Sequence, residues 1–489
     1  MSEGQCTASV AAESASGLRP LLALGLPDRW PGFEVVKRST VRTVLAGRIG
    51  DLPVHVKLYR AARWTDLARD RLLGARARVE FDNLAQARAR GLPAAEPLAF
   101  GTGDDGGARS FLVTRTVPGA VPLPRGPLPA EQARALGRLL RRAHDAGLHA
   151  HDLHAGNVLV GEDGALTLID LTSAWFGAPL ELRDRARGLA FFLLDLDRGP
   201  EHPAAAPLLA GYGASPALHA ATAPVWRRLR RRALVSFGRR ATRACRHTSV
   251  ERRGRRSIVY RHLPAGARAD EAVARLAELD ALAPVKQGRR GAVWLLDGIV
   301  AKRRARAAAR RLFRAAYWCS FAGVDCATPL ALVEEGGTGT VCVERIPAPD
   351  LAQRIARADL SREEAIAAAV RLGRSVGRLH AHGLRNRDMK LENLVLDPRS
   401  GAVVMVDLDG VRAKSASDRR GQAADLGRLL AAFRAAGSPG GNAALRAFHR
   451  GYTRARQCLA PSRFDRQLRR RIAALASAWA SGSRSTSRS

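Results

Sequence analysis

One order of elements occurs twice in this sequence of 489 residues, and this internal repeat restricts the fold more than any other feature. Each copy begins with a predicted β-hairpin whose second strand carries a lysine, Lys57 in the first copy and Lys302 in the second. A segment rich in Arg and Ala follows and is predicted to be a helix that ends at a glycine, Gly91 or Gly323. Extended segments, a second helix, a polar loop and a last hairpin complete each copy. The repeat therefore predicts two similar domains.

Both polar loops place an aspartate five residues before an asparagine, and the last strand of each copy carries another aspartate. These residues are Asp152, Asn157 and Asp170 in the first copy and Asp388, Asn393 and Asp407 in the second. The asparagine precedes the last aspartate by 13 residues in the first copy and by 14 in the second. The additional residue falls in a hairpin turn, where a chain accepts insertions most readily. Each copy therefore offers one lysine, one asparagine and two aspartates in the same order.

This set of residues resembles the protein-kinase-like phosphotransferase superfamily, and more narrowly the lipopolysaccharide (Kdo/heptose) kinase family, with two copies in tandem. The similarity covers approximately Phe33 to Leu194 and Ile258 to Leu430. The resemblance implies an α+β fold with two tandem bilobal domains, each with a small β-rich N-lobe and a helical C-lobe. It also implies that ATP and Mg²⁺ bind between the two lobes.

The resemblance implies a role for each residue, and the chemistry of phosphoryl transfer explains the residue types. Transfer of a γ-phosphoryl group depends mainly on positioning and charge neutralisation, and Mg²⁺ prefers oxygen ligands. The expected catalytic residues are Asp152, Asp388 and Lys390, the expected ATP-binding residues Lys57, Glu80 and Lys302, and the expected metal ligands Asn157, Asp170, Asn393 and Asp407. In this set the two catalytic aspartates accept the proton of the substrate hydroxyl, and Lys390 is placed to neutralise the transferred phosphate.

The two copies differ at the expected ion-pair partner of the strand lysine. Glu80 stands 11 residues before the glycine that ends its helix, whereas the same count in the second copy gives Leu312. Glu334 and Glu344 are the candidate replacements in the second copy. The half that lacks the counterpart of Glu80 is therefore a candidate pseudokinase that supports or regulates the other half.

Neither copy contains every motif of the family. Ala150 and Asn386 stand where a histidine commonly opens the catalytic loop. No complete G-x-G-x-x-G precedes either lysine, because the first copy offers only residues 37–40 and the second only residues 286–291. The sequence therefore does not identify the residues that cover the phosphates.

The net charge of +35 comes almost entirely from arginine, because only six of the 80 basic residues are lysine. A basic chain suggests a nucleic-acid partner, but these arginines are scattered through both halves, and we expect no specific nucleic-acid binding. The densest segment, residues 226–256, contains 13 arginines. It predicts either contact with an anionic membrane or a solvated helical connector between the domains.

These features give the predicted domain organisation. It consists of an N-terminal tail (1–28), a first kinase-like domain (29–225), a basic helical connector (226–256), a second kinase-like domain (257–478) and a disordered tail (479–489). No apolar run reaches the length of about 18 residues that a membrane-spanning helix needs, and the first residues lack the pattern of a secretory signal. The six cysteines show no paired spacing. We therefore expect a cytoplasmic protein that visits the inner face of the membrane.

The class of acceptor is predicted from the segment after the last aspartate. Asp425 opens a helical stretch only 18 residues after Asp407, and no A-P-E motif follows, which disfavours a docked peptide. We expect phosphate transfer from ATP to a hydroxyl of a saccharide in a lipopolysaccharide-type glycolipid. The alternatives are a protein serine/threonine kinase, which Lys390 favours, and a kinase–pseudokinase tandem with a regulatory half. A metal cluster is a further alternative, formed by the three histidines near the first catalytic aspartate. They are His149, His151 and His154.

Overall fold

The chain forms two compact units, Met1–Arg227 and Arg228–Ser489, called here the first and the second unit. The computed structural model describes residues 6–10, 15–39, 41–61, 64–103, 109–126, 128–150, 152–196, 199–200, 202–245, 247–262, 266–289, 291–414, 418–437 and 439–456. Each unit begins with an antiparallel sheet and continues into a helical part, which confirms the predicted α+β fold with a β-rich and a helical lobe in each copy. None of the described helices is both long and apolar enough to cross a membrane. The predicted tail at 479–489 lies outside the described residues.

An antiparallel sheet opens the first unit. Its strands are β1 (Cys6–Val10), β2 (Glu34–Arg38), β3 (Arg42–Ile49), β4 (Leu52–Arg60), β5 (Pro97–Gly103) and β6 (Arg109–Arg115). Their order across the sheet is β1-β5-β6-β4-β3-β2. Along β4 the side chains of Val54, Val56 and Leu58 are completely buried in the core. Because alternate side chains of a strand point to opposite faces, Lys57 lies on the other face of the sheet.

Helices and short hairpins form the rest of the first unit. The helices are α1 (Ala15–Ala23), α2 (Trp64–Leu73), α3 (Arg76–Ala89), α4 (Ala130–Asp145), α5 (Leu182–Asp195) and α6 (Ala206–Tyr212). Helix α7 (Pro216–Arg240) begins in the first unit and ends after its boundary at Arg227. The short strands are β7 (Val121–Pro122), β8 (Leu148–Ala150), β9 (Val158–Val160), β10 (Leu166–Leu168) and β11 (Ala174–Phe176). Strand β9 pairs with β7 and β10, and β8 pairs with β11. These hairpins hold the polar loop and the aspartate that follows β10.

The second unit opens with a sheet of the same kind. Its strands are β12 (Thr248–Arg253), β13 (Arg256–Arg261), β14 (Lys286–Gly288), β15 (Gly291–Leu296), β16 (Ile299–Ala305), β17 (Pro329–Glu335) and β18 (Thr338–Glu344). The order is β12-β13-β17-β18-β16-β15-β14. The last five strands in this order repeat the arrangement β5-β6-β4-β3-β2 of the first unit. The sequence repeat is therefore also a repeat of sheet topology.

Helices again follow the sheet. They are α8 (Arg268–Ala274), α9 (Arg306–Phe321), α10 (Leu351–Ala356), α11 (Arg362–Ala381), α12 (Arg419–Ala435) and α13 (Gly441–Arg456). The short strands are β19 (Leu384–Asn386), β20 (Leu394–Leu396), β21 (Val403–Met405) and β22 (Val411–Ala413). Helices α11 and α13 pack so closely that a Cβ atom added at Gly373 would collide with the carbonyl oxygen of Phe448. The main core of the second unit lies between these helices and the short strands.

Two segments near the predicted domain boundaries are more ordered than the sequence pattern indicated. In the predicted tail 1–28, β1 pairs with β5, and Leu18 of α1 is buried in the core beside Trp30. In the predicted connector 226–256, β12 forms the edge of the second sheet. An edge strand tolerates charged side chains on its open side. The arginines of this strand therefore concealed its β-structure in the sequence pattern.

Candidate active site

A buried ion pair lies on the face of the first sheet that carries Lys57. The ammonium of Lys57 on β4 lies 2.5 Å from Oε1 of Glu80 on α3. The side chain of Glu80 is completely buried, and that of Lys57 is 11 % exposed. The hydroxyl of Tyr59 donates to the other carboxylate oxygen of Glu80. Because both oxygens of Glu80 have donors, the ammonium of Lys57 is held in one position.

The aspartate that follows β10 is joined to this pair through a hydroxyl group. Oγ1 of Thr172 lies 3.2 Å from Oε2 of Glu80 and 3.0 Å from Oδ1 of Asp170. The other oxygen of Asp170 accepts from the guanidinium of Arg42 on β3 at 2.5 Å. Asp170 adopts a left-handed backbone conformation with φ of 60°, which is uncommon for residues other than glycine and is found often at functional sites. The sequence patterns singled out neither Thr172, Tyr59 nor Arg42.

The charges of this network keep Asp170 ionised and Tyr59 neutral. Burial by itself would raise the pKa of Asp170, but the nearby Lys57 and Arg42 outweigh it and lower that pKa below its ordinary value of 3.8. Burial, reinforced by the carboxylate of Glu80, raises the pKa of Tyr59 well above its ordinary value. Tyr59 therefore remains a hydrogen-bond donor, and Asp170 presents a negative charge.

The polar loop of the first unit is held from both sides. Asn157 donates through Nδ2 to the backbone oxygen of Asp152 at 2.9 Å. The backbone N–H of Ala155 donates to Asp195 of α5 at 2.9 Å, and that of Ile169 donates to the backbone oxygen of Asn157 at 2.9 Å. The loop therefore lies directly beside Asp170, while the side chain of Asp152 is exposed. An exposed carboxylate in a fixed loop can accept a proton from a bound hydroxyl group.

The donor atoms beside the loop fit a magnesium ion. Asn157 uses its nitrogen in the loop, so the oxygen Oδ1 is not taken by that bond. Together with the carboxylate of Asp170, this gives two hard oxygen donors, and Mg²⁺ is usually held by one or two carboxylates together with substrate phosphates. Among the described residues there is no group of three or more His, Cys, Asp or Glu side chains that can hold a metal ion. The alternative of a histidine cluster gains no support, because His149 stacks on Trp175 and His151 lies outside the described residues.

The lysine of the second unit has a different partner. Lys302 on β16 donates to Oδ1 of Asp407 at 3.2 Å and to the backbone oxygen of Val406 at 3.3 Å. The position of Glu80 is taken by Leu312 of α9, which is buried in the core. The helix therefore offers no carboxylate to Lys302.

Neither candidate replacement for Glu80 contacts Lys302. Glu334 accepts two hydrogen bonds from Arg310, at 2.6 and 2.8 Å, and Glu344 pairs with Arg268 at 3.0 Å. The expectation that one of them substitutes for Glu80 is wrong. Both glutamates lie on the strand pair β17–β18 and pair with arginines of the helices α9 and α8. The carboxylate that reaches Lys302 comes instead from the loop after β21.

Two corresponding positions hold different residue types in the two units. Tyr59 lies two residues after Lys57 and contacts Thr172, at 3.5 Å between the oxygens. At the corresponding positions of the second unit, Arg304 lies two residues after the strand lysine and contacts Asp409, at 3.4 Å. A neutral pair in the first unit thus becomes an ion pair in the second. The backbone N–H of Asp409 also donates to Asp407 at 3.2 Å.

The polar loop of the second unit has the same backbone plan as that of the first. Asn393 donates through Nδ2 to the backbone oxygen of Asp388 at 2.9 Å and to its carboxylate at 3.2 Å. Asn386, which replaces the usual histidine, is buried and accepts from the N–H of Asp388 at 3.1 Å. The ammonium of Lys390 lies 3.9 Å from the carboxylate of Asp388. Burial alone would raise the pKa of Asp407, but Lys302 outweighs it and lowers that pKa.

A two-lobed unit in which a strand lysine, a helix glutamate and an Asp–Asn loop meet defines the kinase class of proteins. The family model of the lipopolysaccharide kinase (Kdo/WaaP) family matches residues 34–203 and 334–452, more than half of the chain, and the chain belongs to this family. Membership implies kinase activity toward sugars of lipopolysaccharide, with ATP as the phosphate donor. The first matched segment contains Lys57, whereas the second begins after Lys302. No match was found among curated proteins.

Proposed function

We propose that the protein transfers the γ-phosphoryl group of ATP to a hydroxyl of a saccharide in a lipopolysaccharide-type glycolipid, and that the first unit performs this reaction. The observation that supports this proposal is the buried network in which Lys57, Glu80, Thr172 and Asp170 are joined by hydrogen bonds. Such a network fixes an ammonium and a carboxylate near each other before the substrate binds. Fixed charges of this kind are the main contribution that a protein makes to phosphoryl transfer.

Each residue of the first unit then has one task. Lys57 binds the phosphates of ATP, and Glu80 holds its ammonium in place. Asp170 and Asn157 hold Mg²⁺, which when bound neutralises charge on the phosphates. Asp152 accepts the proton of the acceptor hydroxyl while the oxygen of that hydroxyl bonds to the γ-phosphorus, and the bond to the oxygen between the β- and γ-phosphorus atoms breaks so that ADP leaves. Arg42 donates to one oxygen of Asp170 and so orients the carboxylate that would hold the ion.

The test compares Asp152→Asn with Asp388→Asn in the full chain. Each substitution removes a proton acceptor and nearly preserves its shape. Loss of a general base lowers the rate by about 10²–10⁴-fold, so we expect this loss for Asp152→Asn and a smaller change for Asp388→Asn. The matched control is Asp82→Asn, since Asp82 is an exposed aspartate on α3, 3.8 Å from Arg78. Radiolabelled ATP and a glycolipid fraction provide the assay, and glycolipid labelling that survives both substitutions together would refute the proposal.

A second candidate function is a kinase–pseudokinase tandem, and the second unit supports it. Leu312 replaces the helix glutamate, and Lys302 is bound to Asp407, one of the carboxylates that a kinase uses for its metal. In this arrangement the second unit binds ligands and regulates the first. The expected result is no loss of glycolipid labelling in Asp388→Asn, and a complete loss in that variant would contradict this candidate.

A protein serine/threonine kinase is the third candidate, and Lys390 supports it because its ammonium lies near Asp388. The same labelling assay distinguishes this candidate, since a protein kinase labels added polypeptides and leaves the glycolipid unlabelled. Lys390→Met should then reduce polypeptide labelling. Arg399→Met, an exposed cation in the turn that follows β20, is the control.

We also propose that the protein works in the cytoplasm at the inner face of the membrane. The support is the arginine-rich segment 226–256 and the class of substrate. Each basic residue near an anionic surface contributes about 1 kcal/mol of attraction, which salt screens. The protein should therefore sediment with vesicles that contain anionic phospholipid at low salt and should be released at high salt. Equal binding to neutral vesicles would contradict this proposal.

A further inference from the structure

Helix α2 of the first unit exposes its apolar side chains. Trp64 is 78 % exposed, Leu72 84 % and Leu73 60 %, and Leu72 and Trp64 are the two most exposed large apolar residues in the described part of the chain. Trp64, Ala68 and Leu72 follow one another at intervals of four residues, so they form one stripe along the helix, and all three are exposed. No described side chain of α2 is buried. This helix therefore presents an apolar stripe to the solvent.

The acidic side chains of the same helix face the protein. Asp66 lies 2.6 Å from the guanidinium of Arg76 on α3, and Asp70 lies 3.3 Å from that guanidinium and 2.9 Å from that of Arg69. The side chains of Asp66 and Asp70 are only 23 % and 11 % exposed. A surface helix of a globular protein normally turns its apolar side to the core and its charged side to water. The polarity of α2 is therefore inverted.

The connection to α3 holds the helix in this orientation. Gly74 directly follows α2 and has φ of 87°, a left-handed conformation that glycine adopts without strain. Helix α3 begins two residues later, at Arg76, which forms the ion pairs with both aspartates of α2. Because α3 also carries Glu80, the apolar stripe has a fixed position relative to the ion pair of Lys57 and Glu80.

The segment around the stripe is positively charged. Residues 60–76, from the end of β4 to the start of α3, contain five arginines and two aspartates, which leaves an excess of three positive charges. An apolar stripe accompanied by arginine is typical of helices that lie in the interface of an anionic membrane. Tryptophan favours this interface, because its ring is apolar and its indole N–H needs a polar partner.

The size of the stripe favours a membrane over a protein partner. Each partner of a stable protein interface contributes about 800 Å². An aromatic side chain buries about 150–250 Å², so three large side chains on one helix cover less than this area even when they are completely buried. A bilayer has no such minimum, because a few inserted side chains add to the attraction between charges.

We propose that α2 contacts the membrane by inserting Trp64, Leu72 and Leu73 into the headgroup region of an anionic bilayer. The inference deepens the proposed location at the membrane and rests on it. In this arrangement the arginines of segment 226–256 supply electrostatic attraction, and α2 supplies the apolar contact that charge alone does not give. One weak anchor gives only reversible binding, and stable binding needs two. Release at high salt is therefore still expected.

The first experiment measures binding of the full chain to vesicles made of equal parts of phosphatidylcholine and phosphatidylglycerol. Sedimentation gives the affinity at several salt concentrations for Trp64→Ser and Leu72→Gln. The matched control is Leu182→Gln, since Leu182 is an exposed leucine at the start of α5. We expect the affinity to fall about tenfold for each α2 variant and to stay unchanged for the control. The dependence on salt should not change, because no charge is altered.

The second experiment detects insertion itself. Phospholipids with brominated acyl chains quench the fluorescence of a tryptophan that they contact. The chain has seven tryptophans, so the contribution of Trp64 is the part of the quenching that disappears in Trp64→Phe. This variant keeps an apolar ring and should retain most of the binding. Melting temperatures should not change in any of these variants, because the substituted side chains are not buried.

Three results would overturn the inference. They are an unchanged affinity in both Trp64→Ser and Leu72→Gln, equal quenching in Trp64→Phe and the native chain, and a dimer in analytical ultracentrifugation that Leu72→Gln converts to a monomer. The last result would assign the stripe to a contact between two copies of the chain.

Glycolipid labelling in detergent solution requires no membrane and separates this inference from the proposed function. If labelling depends on Asp152 while the vesicle experiments show no effect of α2, only the role of α2 is wrong. If the vesicle experiments show the expected effects in a chain that labels no glycolipid, the proposed function is wrong and the role of α2 stands.

Discussion

Replacement of Glu80 by alanine tests the buried network of the first unit most directly. Glu80 is fully buried, and its carboxylate accepts from Lys57, Tyr59 and Thr172. The variant Glu80→Ala leaves the ammonium of Lys57 in a largely buried place without its counter-charge. Removal of one partner from a buried ion pair costs about 3–5 kcal/mol of unfolding free energy. For a domain of 150–250 residues each kcal/mol lowers the melting temperature by about 2–4 °C, so we expect a decrease of about 6–20 °C.

Differential scanning calorimetry of the full chain measures this decrease. Leu312→Ala serves as the matched variant at the corresponding helix position of the second unit. It creates a cavity in a buried core and costs about 2–5 kcal/mol. Because the two substitutions lie in different units, they identify which calorimetric transition belongs to which unit. Glu131→Gln is the surface control, since the side chain of Glu131 is 81 % exposed and its pair with Arg134 should not affect melting.

A double substitution separates the stability of the pair from its function. Lys57→Met combined with Glu80→Leu places apolar groups where the ion pair was, as Leu312 does in the second unit. Replacement of a buried ion pair by apolar groups is often neutral for stability, but the hydroxyl of Tyr59 loses its acceptor in this variant, at a cost of about 1–3 kcal/mol. We therefore expect the melting temperature to recover only in part, while ATP-dependent labelling stays absent. If Glu80→Ala costs less than about 1 kcal/mol, or if the double variant is as unstable as Glu80→Ala, the network does not stabilise the unit as argued.

Three further predictions concern single contacts. Arg42→Gln removes a cation that keeps the pKa of Asp170 low. A carboxylate with a lowered pKa stabilises the folded state, and this stability is lost as the pH falls through that pKa. Acid unfolding should therefore begin at a higher pH in this variant, as melting curves below about pH 5 would show. Asn83→Leu removes the donor to two backbone oxygens of the segment after Asp170 and should cost about 2–4 kcal/mol in urea unfolding, whereas a change below 1 kcal/mol would contradict the contact. Gly373→Ala forces a methyl group against the carbonyl oxygen of Phe448 and should cost about 1–3 kcal/mol, and an unchanged midpoint of unfolding would show that α11 and α13 can separate without cost.

The order of elements and the glycines at which helices end were predictable from the sequence. The hairpin of Lys302 turns at Gly298, where φ is 66°, and the two hairpins pair as their alternating patterns predicted. These features follow from short-range preferences, which a single sequence contains. The partner of Lys57 was also predictable, because Glu80 lies at a fixed count from the end of its helix.

The contacts between distant segments were not predictable in the same way. Arg42 is separated from Asp170 by 128 residues of sequence, and only the folded chain brings the two side chains within hydrogen-bond distance. Two signals pointed toward this arrangement. Tyr59 lies two residues after Lys57, on the same face of its strand, and Thr172 lies two residues after Asp170. The spacing along the sequence does not identify the partner of Glu334, because a glutamate on a strand can pair with any arginine that the fold brings near.

The exchange of Tyr59 and Thr172 for Arg304 and Asp409 has an evolutionary consequence. An arginine at the first position without an acid at the second would leave a desolvated cation, and the acid without the arginine would crowd Asp407 or Asp170 with another negative charge. Single changes at these sites should therefore be selected against, and the two positions should covary among related units. A column of an alignment inspected alone would show only variability, and the constraint would become visible when both columns are read together.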